Sequence, residues 1–211
     1  MFLLSCISHF LSANQDHFWF ALSAIGTVGT FLIARFALNT WRKEKEYDLI
    51  VENLAACNLA VQYIEALRYP ASSTSEIKKE YLEELNKLSI DNNKHRPSAE
   101  NLFIYQSRRD KHQAVFENVL KLREKNWAVY GEKHDFYLFF NRIAEIDKQI
   151  LVANIRHYQT IVDREQFSDE IFREIMKEVN PIIYSNLSDN DPITKELIEW
   201  LDKLKKYRRK K

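Results

Sequence analysis

The side chains with the greatest potential for chemistry are cations and imidazoles in two short clusters. They are Arg108, Arg109, Asp110, His112, Arg156 and His157. A guanidinium beside an imidazole suits phosphodiester cleavage, because the cation binds phosphate while the imidazole transfers protons. If residues 98–130 and 133–162 form an antiparallel hairpin, the clusters meet at its far end. The sequence therefore offers one catalytic hypothesis, a membrane-tethered hydrolase or ribonuclease that uses Arg108, His112 and His157.

A structural role for these clusters is the favoured alternative, because charge clusters are far commoner than catalytic sites. HEPN ribonucleases carry an Arg and a His on one helix, but at a longer spacing than Arg108 and His112 have here. No HExxH or CxxC metal motif, phosphate-binding glycine loop or GxSxG motif is present. We therefore expect no metal ion and no cofactor, and favour a non-enzymatic adapter or scaffold over an enzyme.

The elements that must position these residues are helices. The 211 residues include three glycines and four prolines, with 45% hydrophobic and 29% charged residues. Sharp turns between strands and phosphate-binding loops both depend on glycine, so this composition argues against β-rich and α/β folds. We predict an all-α fold, with one N-terminal transmembrane helix that continues into a cytosolic helical bundle.

The predicted transmembrane helix covers residues 18–38. A helix of 21 residues is about 30 Å long, which matches the hydrocarbon core of a bilayer. Aromatic residues lie near both ends of the segment, as in the interfacial belts of membrane proteins. Arg35 is one turn from the inner end, where its side chain reaches the headgroups. The residues expected to mark the span are Phe18, Trp19, Gly26, Thr30, Ala34, Arg35 and Trp41.

The orientation of the span follows from its flanking charges. Lys and Arg are absent before Arg35, whereas Arg42, Lys43 and Lys45 follow the span. The positive-inside rule then places residues 1–17 outside the inner membrane and the C-terminal domain in the cytoplasm. Inside the span, small residues recur every four positions from Gly26, and such a face allows two helices to associate closely.

The cytosolic domain is predicted to cover residues 39–202 and to contain five or six helices. Its first helix, residues 39–68, carries a heptad seam that predicts either a coiled coil with a second copy or packing inside the monomer. The seam is Tyr47, Ile50, Leu54, Cys57, Val61 and Ile64. Later helices are expected from Ser73 to about residue 88, over 98–130 and 133–162, from Ser168 to about Pro181, and from Asp191 onwards.

A basic tail covers residues 203–211, where seven of nine side chains are Lys or Arg. Anionic headgroups attract such clusters by about 1 kcal/mol per basic residue at the surface. The residues expected to contact lipid are Lys205, Lys206, Arg208, Arg209, Lys210 and Lys211. Nucleic acid is not expected as a partner; the predicted partners are the bilayer and either another protein or a second copy.

Residues 25–45, 65–70 and 115–153, with Tyr130-Gly131-Glu132 at the hairpin turn, follow one another in a recognisable order. That order resembles a loose class of bacterial single-pass inner-membrane proteins with a cytosolic helical-hairpin domain. The resemblance covers most of the chain in layout. It implies a bacterial inner-membrane location and carries no activity with it.

Overall fold

The computed structural model describes residues 2–70, 74–91, 96–185 and 191–209. It leaves out the side chains of residues 2–19, 21, 22, 74, 88–91, 96–98 and 209. The described residues are almost entirely helical and contain no strand, which confirms the all-α class. The helices are α1 Phe2–Leu67, α2 Lys79–Asp91, α3 Arg96–Lys111, α4 Gln113–Tyr130, α5 Asp135–Val162, α6 Asp169–Ile183 and α7 Pro192–Leu204. Short 3₁₀ turns cover Thr74–Glu76, Arg164–Gln166 and Lys205–Arg209.

The chain divides into two units, Met1–Ile50 and Val51–Lys211. The first unit is the N-terminal part of α1, which takes in the backbone of residues 2–17. In the part of the chain that the structure describes, no helix holds a stretch that is both apolar and long enough to cross a membrane. The predicted span, residues 18–38, begins at Phe18 and Trp19, whose side chains lie outside the described residues.

The second unit is a helical bundle built around α5. This helix packs against α3, α4, α6 and α7, and its inward stripe is fully buried. The stripe is Phe136, Phe139, Phe140, Ile143, Ile146, Ile150 and Ala153, as the apolar periodicity predicts. Burying a phenylalanine or isoleucine contributes about 1.5–3 kcal/mol, so this stripe supplies a large part of the stability of the bundle.

The hairpin between α4 and α5 has the predicted turn. Gly131 adopts a positive φ of 82°, which glycine reaches without the steric cost that a Cβ brings. Its N–H donates to the carbonyl of Trp127 at 2.9 Å and closes the last turn of α4. The short connection makes α4 and α5 antiparallel neighbours.

Three helix boundaries differ from the sequence prediction. The expected helix over 98–130 is two helices, because the chain breaks at His112, where φ is −106° and ψ is 13°. The segment that Ser73 was expected to open contains a 3₁₀ turn first, and α2 begins only at Lys79; Ser73 itself lies outside the described residues. Pro181 lies inside α6, two residues before its end. Local signals marked the regions of the 3₁₀ turn and of Pro181 but not the helical state around them, whereas no local signal marked the break at His112.

The end of α1 packs inside the bundle. Cys57, Val61 and Ile64 of the heptad seam are all buried, so this part of the seam is used within the monomer. Burial raises the pKa of the Cys57 thiol well above its usual range. That thiol is therefore a small apolar core side chain, as its position in the seam predicts, and not a reactive group.

A reciprocal amide pair joins α1 to α4. The Asn53 amide donates to Asn126 Oδ1 at 2.9 Å, and the Asn126 amide donates back to Asn53 Oδ1 at 2.8 Å. Both side chains are fully buried. A one-turn slip of α1 would separate the amides and leave them unpaired, so the pair fixes the register of α1 on α4.

Candidate functional site

An open cleft of about 480 Å³ lies where the end of α1, the Thr74–Glu76 turn and the end of α3 meet. Both helices present their C-terminal ends here, because α1 ends at Leu67 and α3 at Lys111. The described residues that line the cleft are Ala66, Tyr69, Ser75, Glu76, Ser107, Arg108, Lys111 and His112. Two of the three proposed catalytic residues, Arg108 and His112, are therefore in the same cleft.

Arg108 is held rigidly in the wall of the cleft. Its Nε donates to Glu76 Oε2 at 2.7 Å and its second terminal nitrogen donates to Oε1 at 3.2 Å, which is a two-point pair. The other terminal nitrogen donates to the carbonyl of Tyr69 at 2.7 Å. The Arg108 side chain is 11% exposed, whereas that of Glu76 is 36% exposed. The guanidinium is thus fixed by the protein, and the carboxylate is the more accessible partner.

The break between α3 and α4 positions His112. Its backbone N–H still donates to the carbonyls of Arg108 and Arg109, at 3.1 and 3.2 Å. Its ring is half-buried and meets the ring of Tyr63 edge-on, with 6.3 Å between centroids. This face-to-edge packing accounts for a histidine at this position without a catalytic role.

His157 does not line the cleft. It lies half-buried on α5 against Tyr184, with 6.5 Å between the ring centroids, and burial lowers the pKa of its imidazole. Its neighbour Arg156 donates to Glu178 on α6 at 2.8 Å. The predicted meeting of His112 and His157 assumed one helix over 98–130, and the break at His112 removes the basis for that alignment.

The other charges of the first cluster hold elements of the fold together. Arg109 donates to Asp147 on α5 at 3.0 Å, and Tyr63 donates a short hydrogen bond to the same carboxylate. Asp110 accepts from Lys78 at 2.7 Å and from the Tyr81 hydroxyl at 3.0 Å. These contacts dock the segment before α2 and the end of α1 onto α3 and α5.

The polar group that sequence reasoning missed is a buried ion pair. Arg68, at the end of α1, donates to both oxygens of Asp191 at 2.6 and 2.7 Å. The two side chains are 1% and 0% exposed. Arg68 also donates to three carbonyls at the end of α6, those of Pro181, Ile182 and Tyr184. The sequence signalled only that Asp191 begins α7, and 123 positions separate it from Arg68.

Asp191 has a second role as the N-cap of α7. Its carboxylate accepts from the backbone N–H of Thr194 at 2.8 Å and from its hydroxyl at 2.7 Å. Burial acts to raise the pKa of Asp191, but the hydrogen bonds from Arg68 and Thr194 outweigh it and hold the pKa at about 2. The carboxylate is therefore charged at neutral pH and fully paired.

Part of the basic tail forms ion pairs with acidic side chains of the bundle. Lys203 and Lys206 donate to the two oxygens of Asp135 at 2.7 and 2.5 Å. Lys205 pairs with Asp202 at 2.5 Å, and Arg208 is exposed. Of the other residues expected to contact lipid, the side chain of Arg209 and the whole of Lys210 and Lys211 lie outside the described residues.

The described lining of the cleft carries more cationic than anionic side chains. A fixed guanidinium, the Lys111 ammonium and the His112 imidazole surround one carboxylate, that of Glu76. The Ser107 hydroxyl accepts from the backbone N–H of Lys78 at 2.9 Å, so it serves the fold. Within the described residues, no group of three or more His, Cys, Asp or Glu side chains is placed to hold a metal ion.

Comparisons of the chain with models of known protein families, with curated proteins and with solved structures gave no match.

Proposed function

We propose that this chain is a membrane-anchored helical adapter. An N-terminal helix holds a cytoplasmic bundle at the inner membrane, and the bundle works by contact with another protein. The observation that carries the proposal is the apolar surface of α1. Phe31, Leu32 and Ile33 are consecutive and therefore lie on different sides of the helix, yet each is more than half exposed. Phe20 and Phe36 are 78% and 75% exposed.

A broad exposed apolar surface on a helix favours an apolar environment, since exposure of apolar surface to water costs about 25 cal/mol per Å². The hydroxyls of this segment suit such an environment. Thr27 donates to the carbonyl of Ser23 at 2.9 Å, and Thr30 donates to that of Gly26 at 2.8 Å. Inside a bilayer each polar group must find its partner within the protein, and these two hydroxyls have done so.

The tail supports contact between the bundle and anionic lipid. Asn53 pairs with Asn126 near the end of α4, so the turn after Gly131 lies at the end of the bundle where residue 51 enters. The tail lies at that same end, because Tyr207 packs against His134 with 5.4 Å between ring centroids. The exposed basic side chains of the tail, Lys205 and Arg208 among them, are of the kind that anionic headgroups attract.

The adapter is favoured over the hydrolase by the state of the catalytic candidates. Arg108 is paired with Glu76 and donates to the Tyr69 carbonyl, and His157, which packs against Tyr184, does not line the cleft. The enzyme hypothesis is tested by His112→Ala and His157→Ala, made separately and assayed in cells. Loss of biological activity with unchanged abundance and melting temperature would favour the enzyme.

The anchor is tested by fractionation and by topology reporters. We expect the full chain to stay in the membrane pellet after alkaline carbonate extraction. A C-terminal alkaline phosphatase fusion should be inactive, because the positive-inside rule keeps that end in the cytoplasm. Release by carbonate contradicts the anchor, and an active fusion contradicts the orientation.

Self-association is a second arrangement that the first unit supports. A Cβ added at Gly26 or Gly29 would meet no heavy atom within 4 Å, so this small-residue face is open to a second helix. Gly26→Leu should abolish a dimer in detergent if the face is used. An unchanged oligomeric state would leave another protein as the partner.

A further inference from the structure

We propose that the cleft beside Arg108 binds an acidic segment of the partner protein, and that Glu76 occupies the place of its carboxylate in the unbound chain. The inference rests on the proposed adapter function and names the chemistry of the partner. Glu76 and Arg108 form the two-point geometry that an arginine makes with any carboxylate. A Glu or Asp side chain of a partner fits the same fork.

The Arg108 guanidinium is ready to receive such a group. Its hydrogen bond to the Tyr69 carbonyl holds it in the cleft wall independently of Glu76. Glu76 belongs to the short Thr74–Glu76 turn and is three times as exposed as Arg108. Exchange of one carboxylate for another therefore leaves the hydrogen bond from Arg108 to the Tyr69 carbonyl in place.

The charges of the cleft favour an anionic partner. Arg108 and Lys111 outnumber the one carboxylate that lines the described part of the cleft, and Lys111 is exposed. An acidic segment with more than one carboxylate can pair with Lys111 as well as with Arg108.

The helix termini argue against a phosphate group. Phosphates bind preferentially at helix N-termini, where backbone N–H groups and a partial positive charge face the ligand. Here α1 and α3 bring their C-termini to the cleft, so neither helix presents the free backbone N–H groups that bind phosphate at a helix N-terminus. A carboxylate is the anion that the structure already holds at this position.

The test uses the full chain in detergent and a fluorescein-labelled peptide of six glutamates, with a six-glutamine peptide as the control. Binding is followed by fluorescence anisotropy at physiological ionic strength. Glu76→Gln removes the internal competitor and should tighten binding roughly two- to fivefold, the range that an exposed ion pair allows. Lys111→Glu should weaken binding by about fivefold or more, and Arg108→Gln by more than tenfold.

The matched control is Arg156→Gln, which breaks an exposed Arg–Glu pair elsewhere on the bundle and should leave the affinity unchanged. Because the tail is also basic, the series is repeated in the Lys205→Gln/Arg208→Gln variant, where the differences between cleft variants should persist. Circular dichroism and the melting temperature verify that each variant is folded. If Arg108→Gln unfolds the chain, Glu76→Gln and Lys111→Glu still test whether the peptide binds in the cleft. Both positions are accessible to water, so we expect these two variants to fold.

The proposal would be overturned if the chain bound the two peptides equally well. It would also be overturned if Glu76→Gln and Lys111→Glu left the affinity for the six-glutamate peptide unchanged. It would also be overturned if inorganic phosphate displaced the labelled peptide at lower concentration than free glutamate does, since the ligand would then be a phosphate. Carbonate extraction remains an independent readout of the adapter hypothesis. If the chain stays in the membrane but does not bind the six-glutamate peptide, only the assignment of the cleft is refuted. If carbonate releases the chain, the anchored adapter is refuted.

Discussion

Two arginine–carboxylate pairs lie close together near the end of α1 and differ in their access to water. Arg68 and Asp191 are 1% and 0% exposed, whereas Arg108 and Glu76 are 11% and 36% exposed. Each arginine makes a two-point pair and also donates to backbone carbonyls. The chemistry is the same, but only the second carboxylate can exchange with one brought by a ligand. Burial turns the first pair into a structural lock and leaves the second as a binding site.

Breaking the buried pair should lower the free energy of unfolding more than breaking the exposed pair. Arg68→Met leaves the Asp191 carboxylate without its cation in a site that water does not reach. We expect a loss of about 3–5 kcal/mol in the free energy of unfolding, the usual effect of removing one partner of a buried pair. Denaturant titration of the full chain in detergent, followed by circular dichroism, measures it. A loss below about 1 kcal/mol would show that the pair is not a lock.

The pH dependence of stability separates the charge of Asp191 from its role as an N-cap. The pKa of about 2 lies below the ordinary value of 3.8, so the folded state binds this proton more weakly than the unfolded chain does. The resulting stabilisation is complete above about pH 4 and is lost as the pH falls towards 2, a change of about 2 kcal/mol.

Asp191→Asn is the matched variant for this measurement, because asparagine retains the N-cap and carries no charge. The difference in unfolding free energy between the original chain and the variant should be largest at neutral pH and should narrow between about pH 4 and 2. A difference that stays constant across this range would mean that the carboxylate charge contributes nothing.

The open pair should matter little to stability. Arg108→Gln removes an ion pair whose carboxylate is partly solvated, and exposed pairs contribute about 0.2–1 kcal/mol. We expect a loss near the upper end of that range, because the hydrogen bond to the Tyr69 carbonyl is also weakened. The same denaturant titration decides. A loss equal to that of Arg68→Met would make Arg108 a structural residue and remove the contrast between the pairs.

The smallest effect is expected at Tyr105, which lines a small cavity next to Arg108. Its hydroxyl is buried and has no hydrogen-bond partner among the described residues. Removing a buried hydroxyl that bonds to nothing is close to neutral or slightly stabilising. Tyr105→Phe should therefore shift the melting temperature upwards or leave it unchanged. A clear decrease would reveal a bonded role for this hydroxyl.

Local patterns predicted the parts of the fold that depend on local physics. The stripe that contains Phe136 and Ile150 is buried along one face of α5, and Gly131 provides the positive φ after α4. Ser168 caps α6 by accepting from the N–H of Ile171, as its position before the helix predicts. Periodicity, capping and glycine conformations act over a few residues, so they are readable without the tertiary structure.

The cleft was only half predictable, because its geometry depends on distant partners. The sequence singled out Arg108 and His112 by residue type, and the structure places them in one cleft. It gave no sign that Glu76 would pair with Arg108 across 32 positions. It also concealed the break at His112, since the residues around it carry no proline or glycine. The catalytic hypothesis assumed one continuous helix over residues 98–130. The break at His112 ends that helix, and the resulting cleft contains Arg108 and His112 but not His157.

The separation between Arg68 and Asp191 also has a consequence for how the chain matures on the ribosome. Synthesis proceeds at about 5–20 residues per second, so roughly 6–25 seconds pass between the two residues. During that interval the hairpin of α4 and α5, which needs only neighbouring residues, has time to form. Arg68 meanwhile remains hydrated, because its carboxylate has not yet been made. Pairing of the Arg68 guanidinium with the Asp191 carboxylate thus waits for the synthesis of the last helix.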